Sequence, residues 1–163
     1  ITSETSLLGD TLLQVRECHT CGLHYSTPPL PGSPRFYARI QSLESYYQED
    51  KPEFEYARSL IGPADRVLEV GAGSGAFGAS LRCAGYTGLE FNEVSIAKAA
   101  QRGLRLVADD LHEHVRRAPG GYTVACAFQV LEHVPSPGEF VRSLASAVAP
   151  GGRIIVSVPS ADS

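Results

Sequence analysis

Nowhere in these 163 residues does an apolar run approach the ~20 residues of a membrane-spanning helix, so no membrane partner is expected. Positive charge is also short, with 14 Lys and Arg against 18 Asp and Glu and a net charge of -4. The basic residues form no stripe, which argues against nucleic acid as a partner. Arg102, Arg105, Arg116 and Arg117 come nearest to a cluster, and a solvated surface is their ordinary explanation. Cysteine is scarce: the four residues Cys18, Cys21, Cys83 and Cys126 do not look like a disulfide framework. Cys83 and Cys126 sit in apolar segments, where a thiol behaves as a small hydrophobe, and a reduced, cytoplasmic setting is expected. No signal peptide is visible, but the chain opens at Ile1 and not at methionine, so sequence ahead of it is expected. What remains, 43% hydrophobic and 20% charged, is enough for one globular domain with a core.

The chain is organised around Val67-Leu68-Glu69-Val70-Gly71-Ala72-Gly73-Ser74-Gly75-Ala76-Phe77-Gly78. An apolar run passes into clustered glycines and then into helix-favouring residues, which reads as buried strand, tight turn and helix start. Glycine suits such a turn because a Cβ would block positive φ angles and the approach of main chain to a ligand. The first N–H groups of the helix have no partner of their own and can meet a polar or anionic group. Gly73-x-Gly75-x-x-Gly78 fits the dinucleotide fingerprint literally, which is weak evidence alone. Glu69 is the better clue, because a carboxylate at this strand end would repel a pyrophosphate and suits a ligand carrying an amino group.

In this form, acidic-x-Gly-x-Gly-x-Gly, the stretch resembles the first motif of the class I S-adenosylmethionine-dependent methyltransferases. The resemblance implies that Glu69 and the backbone of Gly71, Ala72, Gly73 and Gly75 bind S-adenosyl-L-methionine.

Residues 1 to 50 differ from the rest, with a proline-rich middle and no long periodic stretch. Short strands are expected at 12 to 15 and 23 to 26, on either side of Cys18-His19-Thr20-Cys21-Gly22. That turn has the shape of a zinc knuckle, and it resembles the N-terminal half-ribbon ahead of some bacterial methyltransferase domains. A structural site takes four ligands and only the pair Cys18 and Cys21 is present, so a plain turn or a site that has lost its metal stands beside zinc. A helix over 36 to 47 would cover the cofactor cleft in this family, with Tyr46 and Tyr47 either on the ligand or packed on the domain.

Residues 51 to 163 are expected to form the methyltransferase domain. Pro52 begins a helix ending before Gly62-Pro63. Strands at 66–70, 86–91, 104–108, 122–128 and 153–158 then alternate with helices at 75–84, 93–102, 111–117 and 136–149. This alternation predicts a doubly wound α/β fold on a mostly parallel sheet, with ligands beyond the carboxyl ends of the strands.

Glu90, about 20 residues past the start of the glycine loop, can accept hydrogen bonds from two vicinal ribose hydroxyls. A helix-start carboxylate is the alternative, although Asn92 and Glu93 are better placed for that. Phe91 would lie against the adenine. The resemblance implies an aspartate before an apolar residue as acceptor for the adenine amine, favouring Asp110-Leu111 over Asp109; helix capping would explain one of the two without a ligand. Gln129, the first residue past the 122–128 strand, is also placed on the cofactor. Leu131-Glu132-His133-Val134-Pro135 and, later, Pro150-Gly151-Gly152 resemble one branch of these enzymes, which includes the quinone-biosynthesis O-methyltransferases. The resemblance spans residues 65 to 159.

The reading is therefore a methyltransferase acting on a small-molecule acceptor, O-methylation first and C- or N-methylation next. His133 could remove a proton from an oxygen nucleophile, or could simply order its loop together with Glu132. The family's full sheet has seven strands and this chain stops after the fifth, so an edge strand open to association with a second copy is expected. An inactive methyltransferase-like scaffold and, more remotely, a nicotinamide-dependent oxidoreductase are the competing readings. The central expectation is that Glu69, Glu90 and Asp110 face one crevice.

Overall fold

The computed structural model of the protein describes residues 14–28 and 50–160, in two units taken separately. The helix expected over 36 to 47, with Tyr46 and Tyr47, lies outside these residues. The smaller unit contains a hairpin, β1 (Gln14–Glu17) paired antiparallel with β2 (His24–Thr27). Its turn is closed by Cys18 N–H on the Leu23 carbonyl and Gly22 N–H on the Cys18 carbonyl, both 2.8 Å.

The larger unit is the alternating part of the chain. Its elements are α1 (Pro52–Ser59), β3 (Arg66–Val70), α2 (Ala76–Ser80), β4 (Gly85–Leu89), α3 (Glu93–Gln101), β5 (Leu106–Val107), α4 (Leu111–Arg117), β6 (Tyr122–Phe128), α5 (Pro137–Ala147) and β7 (Val148–Ser157). A 3-10 turn, Leu131–His133, stands between β6 and α5. The strands lie in the order β5-β4-β3-β6-β7 and every neighbouring pair is parallel. From β3 the chain builds outward through β4 and β5, then returns to the other side of β3 for β6 and β7. The switch point falls between β3 and β6, and the fold is doubly wound α/β.

The central position of β3 explains its composition. A strand covered on both faces reads as a continuous apolar run, and all four residues from Val67 to Val70 are buried. Period-two alternation sends Val67 to one face, with Phe54, Phe77, Val124 and Cys126, and Leu68 to the other, with Leu89, Ala125 and Leu144. On the first face Phe54, Phe77 and Phe128 pack as a trio with ring centroids 4.8 to 5.1 Å apart.

Several elements differ from their expected bounds for local reasons. The helix expected over 75–84 stops at Ser80, because Leu81 turns extended and the amide of Ala84 bonds to the Asp65 carbonyl at 2.8 Å, aligning the chain with the sheet. Gly78 lies against the Tyr86 ring, where a Cβ would collide, so this glycine serves helix-to-strand packing. The strand expected from 104 begins at Leu106, since Leu104 N–H still bonds back to the Ala99 carbonyl at 3.1 Å. The strand expected from 153 begins at Val148, with an irregularity opposite Tyr122 to Val124. β7 forms one border of the sheet and leaves Ile154 and Val156 more than a third exposed.

Candidate active site

A cavity of about 390 Å³ opens at the carboxyl ends of β3, β4 and β5, beside the switch point. Each strand delivers its tip residues to one wall: Val70 and Gly71 from β3, then Leu89, Glu90 and Phe91 from β4, then Asp109, Asp110 and Leu111 after β5. Val130 closes the side toward β6. Besides His112 on α4, the remaining wall comes from Val134, Pro135, Ser136, Glu139 and Phe140, ahead of α5 and on its first turns. No role on the cofactor was expected of these last residues. The helix itself was expected over 136–149, but a wall contact depends on how it lands on the sheet.

The glycine loop frames the cavity. Gly71, Gly73 and Gly75 have φ of 72°, 54° and 77°, which L side chains rarely adopt. A Cβ on Gly71 would also stand 2.6 Å from Val130 Cγ2. The loop is tied to β4 by the amides of Gly71 and Ala72, which both donate to the Leu89 carbonyl, at 2.9 and 3.1 Å. Ala72, Gly73 and Gly75 are buried behind Gly71 and do not face the cavity themselves.

Glu90 is buried at 9% exposure and is one of the residues that line the cavity. Oε2 accepts from the Gly73 amide at 2.8 Å and Oε1 from the Asn92 amide at 2.9 Å. A carboxylate offers about four acceptor positions, so roughly two remain. The helix-start role belongs to Asn92, whose Oδ1 accepts from the amides of Val94 and Ser95 and caps α3. Phe91 beside it is 70% exposed, an unusual burden for a ring that a flat ligand would cover.

The two aspartates divide their work. Asp110 caps α4, taking the amides of His112 and Glu113 at 2.8 and 3.3 Å, and both bonds end on Oδ1, so the cap uses one oxygen of two. Asp109 is held sideways by Arg117 and by His114 Nδ1 at 3.0 Å, while His114 Nε2 lies 2.7 Å from the Tyr122 hydroxyl.

Glu69, expected in one crevice with Glu90 and Asp110, is not among the residues that line this cavity. The cause is the alternation of β3: Val70 takes the cavity face, so Glu69 must turn to the other, opposite Cys126. There it is 3% exposed and accepts a hydrogen bond from the Tyr86 hydroxyl. Burial pushes its carboxyl up to about 8, against the opposing influence of the Tyr86 bond and of Lys51, with Glu90 adding to the rise.

Gln129 and His133 also lie off the wall. Gln129 has a positive φ of 56° and its Nε2 stands 3.4 Å from Glu53 Oε1 and 3.3 Å from Ser157 Oγ. His133 ends the 3-10 turn with its side chain 44% exposed and 3.8 Å from the Glu132 carboxylate. In the smaller unit the Thr20 and then the Cys21 backbone amides hold the Cys18 thiol below its ordinary value. Two thiolates make half of a tetrahedral site, and among the described residues no three His, Cys, Asp or Glu side chains gather as metal ligands, so zinc finds no support. Among the same residues no helix is long and apolar enough to cross a membrane.

A family model described as a methyltransferase domain matches residues 38–163. The chain belongs to this methyltransferase family. Cys18 and Cys21 lie outside the matched part of the chain, which contains every strand of the parallel sheet. Among curated proteins the chain is similar to the ubiquinone biosynthesis O-methyltransferase of Escherichia coli, 36% identical over 111 residues, 63% of this chain and 45% of that protein. The enzyme of the same description from Aeromonas salmonicida is 33% identical over 100 residues, 56% of this chain and 42% of its own. The chain thus spans less than half the length of the curated relatives it matches.

Two solved methyltransferases share the fold. The S-adenosylmethionine-dependent methyltransferase from Geobacter sulfurreducens, in complex with S-adenosyl-L-homocysteine, matches with a TM-score of 0.56 at 21% identity, covering 78% of this chain and 56% of that one. Its counterpart from Thiobacillus denitrificans, with the same ligand, has a TM-score of 0.57 at 18% identity, covering 76% and 55%.

Proposed function

We propose that this chain is the S-adenosyl-L-methionine-binding part of a methyltransferase that acts on a small-molecule acceptor, with O-methylation favoured. The observation that carries the reading is Glu90: a buried carboxylate on the wall of the switch-point cavity, with two acceptor positions in use and about two left for vicinal hydroxyls. Phe91 offers an uncovered ring for the adenine, and Leu111 an apolar floor. The Asp110 oxygen not used in the cap suits the exocyclic amine, with Asp109 as the alternative. Membership of the methyltransferase family supports the same ligand, and so does similarity to the ubiquinone biosynthesis O-methyltransferases.

When bound, the sulfonium supplies an electrophilic methyl group for in-line displacement. The residues of this chain bind and orient; alignment of that kind is worth ~7 to 11 kcal/mol in the best intramolecular models. His133 is the proposed proton acceptor for an oxygen nucleophile, being a histidine just past β6. A reducing, cytoplasmic setting fits the four free thiols.

Calorimetry with S-adenosyl-L-homocysteine tests the reading. Micromolar binding is expected, weakened at least tenfold in Glu90→Ala, a loss of ~1.4 kcal/mol or more. No binding by the unaltered chain would overturn the reading.

A further inference from the structure

We infer that Glu90 also acts before any ligand arrives, as the latch that holds the crown of the glycine loop in its binding shape. This rests on the proposed function only in taking the cavity as the ligand site. A loop written Gly71-Ala72-Gly73-Ser74-Gly75 has almost no side chains with which to fix itself, and three glycines in five residues leave its backbone few intrinsic restraints. Its base is fastened through the Gly71 and Ala72 amides on the Leu89 carbonyl, and its far end through the Gly75 amide on the Ala72 carbonyl, at 2.9 Å. Between them the Gly73 amide is held by a side chain, Glu90 Oε2, 17 residues along.

Glu90 is itself anchored on both sides. Its own amide donates to the Val107 carbonyl of β5 at 3.1 Å, and its Oε1 accepts from Asn92, whose side chain caps α3. The Glu90 carboxylate therefore ties the loop after β3 to the start of α3, its backbone amide fixes the same residue to β5, and roughly half of the carboxylate's acceptor capacity is left by these bonds. Preorganising the loop removes an ordering cost that binding would otherwise carry. Glu90 is a positioning residue for the loop as well as a ligand contact.

Amide hydrogen exchange read by NMR on the ligand-free chain tests the latch. In Glu90→Ala, Gly73 and Asn92 should both exchange at least tenfold faster than in the unaltered chain, with the β3 amides from Val67 to Val70 unchanged. In Glu90→Gln a single amide oxygen replaces two carboxylate oxygens, so protection should fall at one of Gly73 and Asn92 and survive at the other. Unchanged exchange at both amides in either variant overturns the latch, and so does a loss spread evenly over the sheet. If the alanine variant does not fold, the glutamine variant decides alone. The latch and the ligand assignment fail separately, because exchange is measured without ligand and calorimetry is not.

Discussion

Glu69 and Tyr86 are bonded side chain to side chain on the face of the sheet away from the cavity, with Glu69 lying opposite Cys126 on β6. Burial to 3% exposure favours the neutral form of the Glu69 carboxyl and outweighs the Tyr86 hydroxyl, whose donated hydrogen bond favours the charged form. The same burial pushes the Tyr86 and Cys126 protons further from release, and a charge on Glu69 adds to both effects.

This pair predicts how stability varies with pH. The folded chain holds the Glu69 proton up to about 8, whereas the unfolded chain releases it near the ordinary value of 4.5. Between those values the native state binds more protons than the unfolded state, so the contribution of Glu69 is fully present below pH 4.5 and is lost as pH rises toward 8. The slope is at most ~1.4 kcal/mol per pH unit. Glu69→Gln should keep an acceptor for Tyr86 and remove that slope. Urea unfolding at pH 5, 7 and 9 should show the variant gaining stability relative to the unaltered chain as pH rises. Parallel curves would place the Glu69 proton elsewhere.

The two aspartates of the cavity wall predict different losses. Asp110→Ala removes the cap of α4 and should cost ~1 kcal/mol of stability together with ligand affinity. Asp110→Asn keeps a side-chain oxygen for the cap, so stability should be nearly retained while the affinity for S-adenosyl-L-homocysteine still falls. Asp109→Asn weakens the contacts to Arg117 and His114, and should act mainly on stability. Calorimetry and thermal unfolding of the three variants check the division. Equal affinity in Asp110→Asn and the unaltered chain would remove Asp110 from the ligand.

Much of this was legible in the chain. The alternation of strand and helix from Arg66 onward determined the fold, because each periodic stretch could bury its apolar side only within a covered parallel sheet. Glu90 and Asp110 were legible as strand-tip acids, and they do share a cavity. Glu69 was placed with them on motif form, although the alternation of its own strand already turned it from the face that Val70 takes. The short α2 depended on Leu81 turning extended and on the Ala84 amide meeting the Asp65 carbonyl, a contact 19 residues apart with no local sign. The wall formed by Ser136, Glu139 and Phe140 was hidden for a similar reason, since it arises from the docking of α5.

A crystal structure of the chain with S-adenosyl-L-homocysteine bound is the most direct trial of the central claim. The account predicts both ribose hydroxyls at ~2.5 to 3.0 Å from the Glu90 carboxylate, the adenine against Phe91, and Glu69 still paired with Tyr86 behind the loop. A nucleoside seated away from the tips of β3 and β4, or one whose ribose leaves Glu90 untouched, would contradict it.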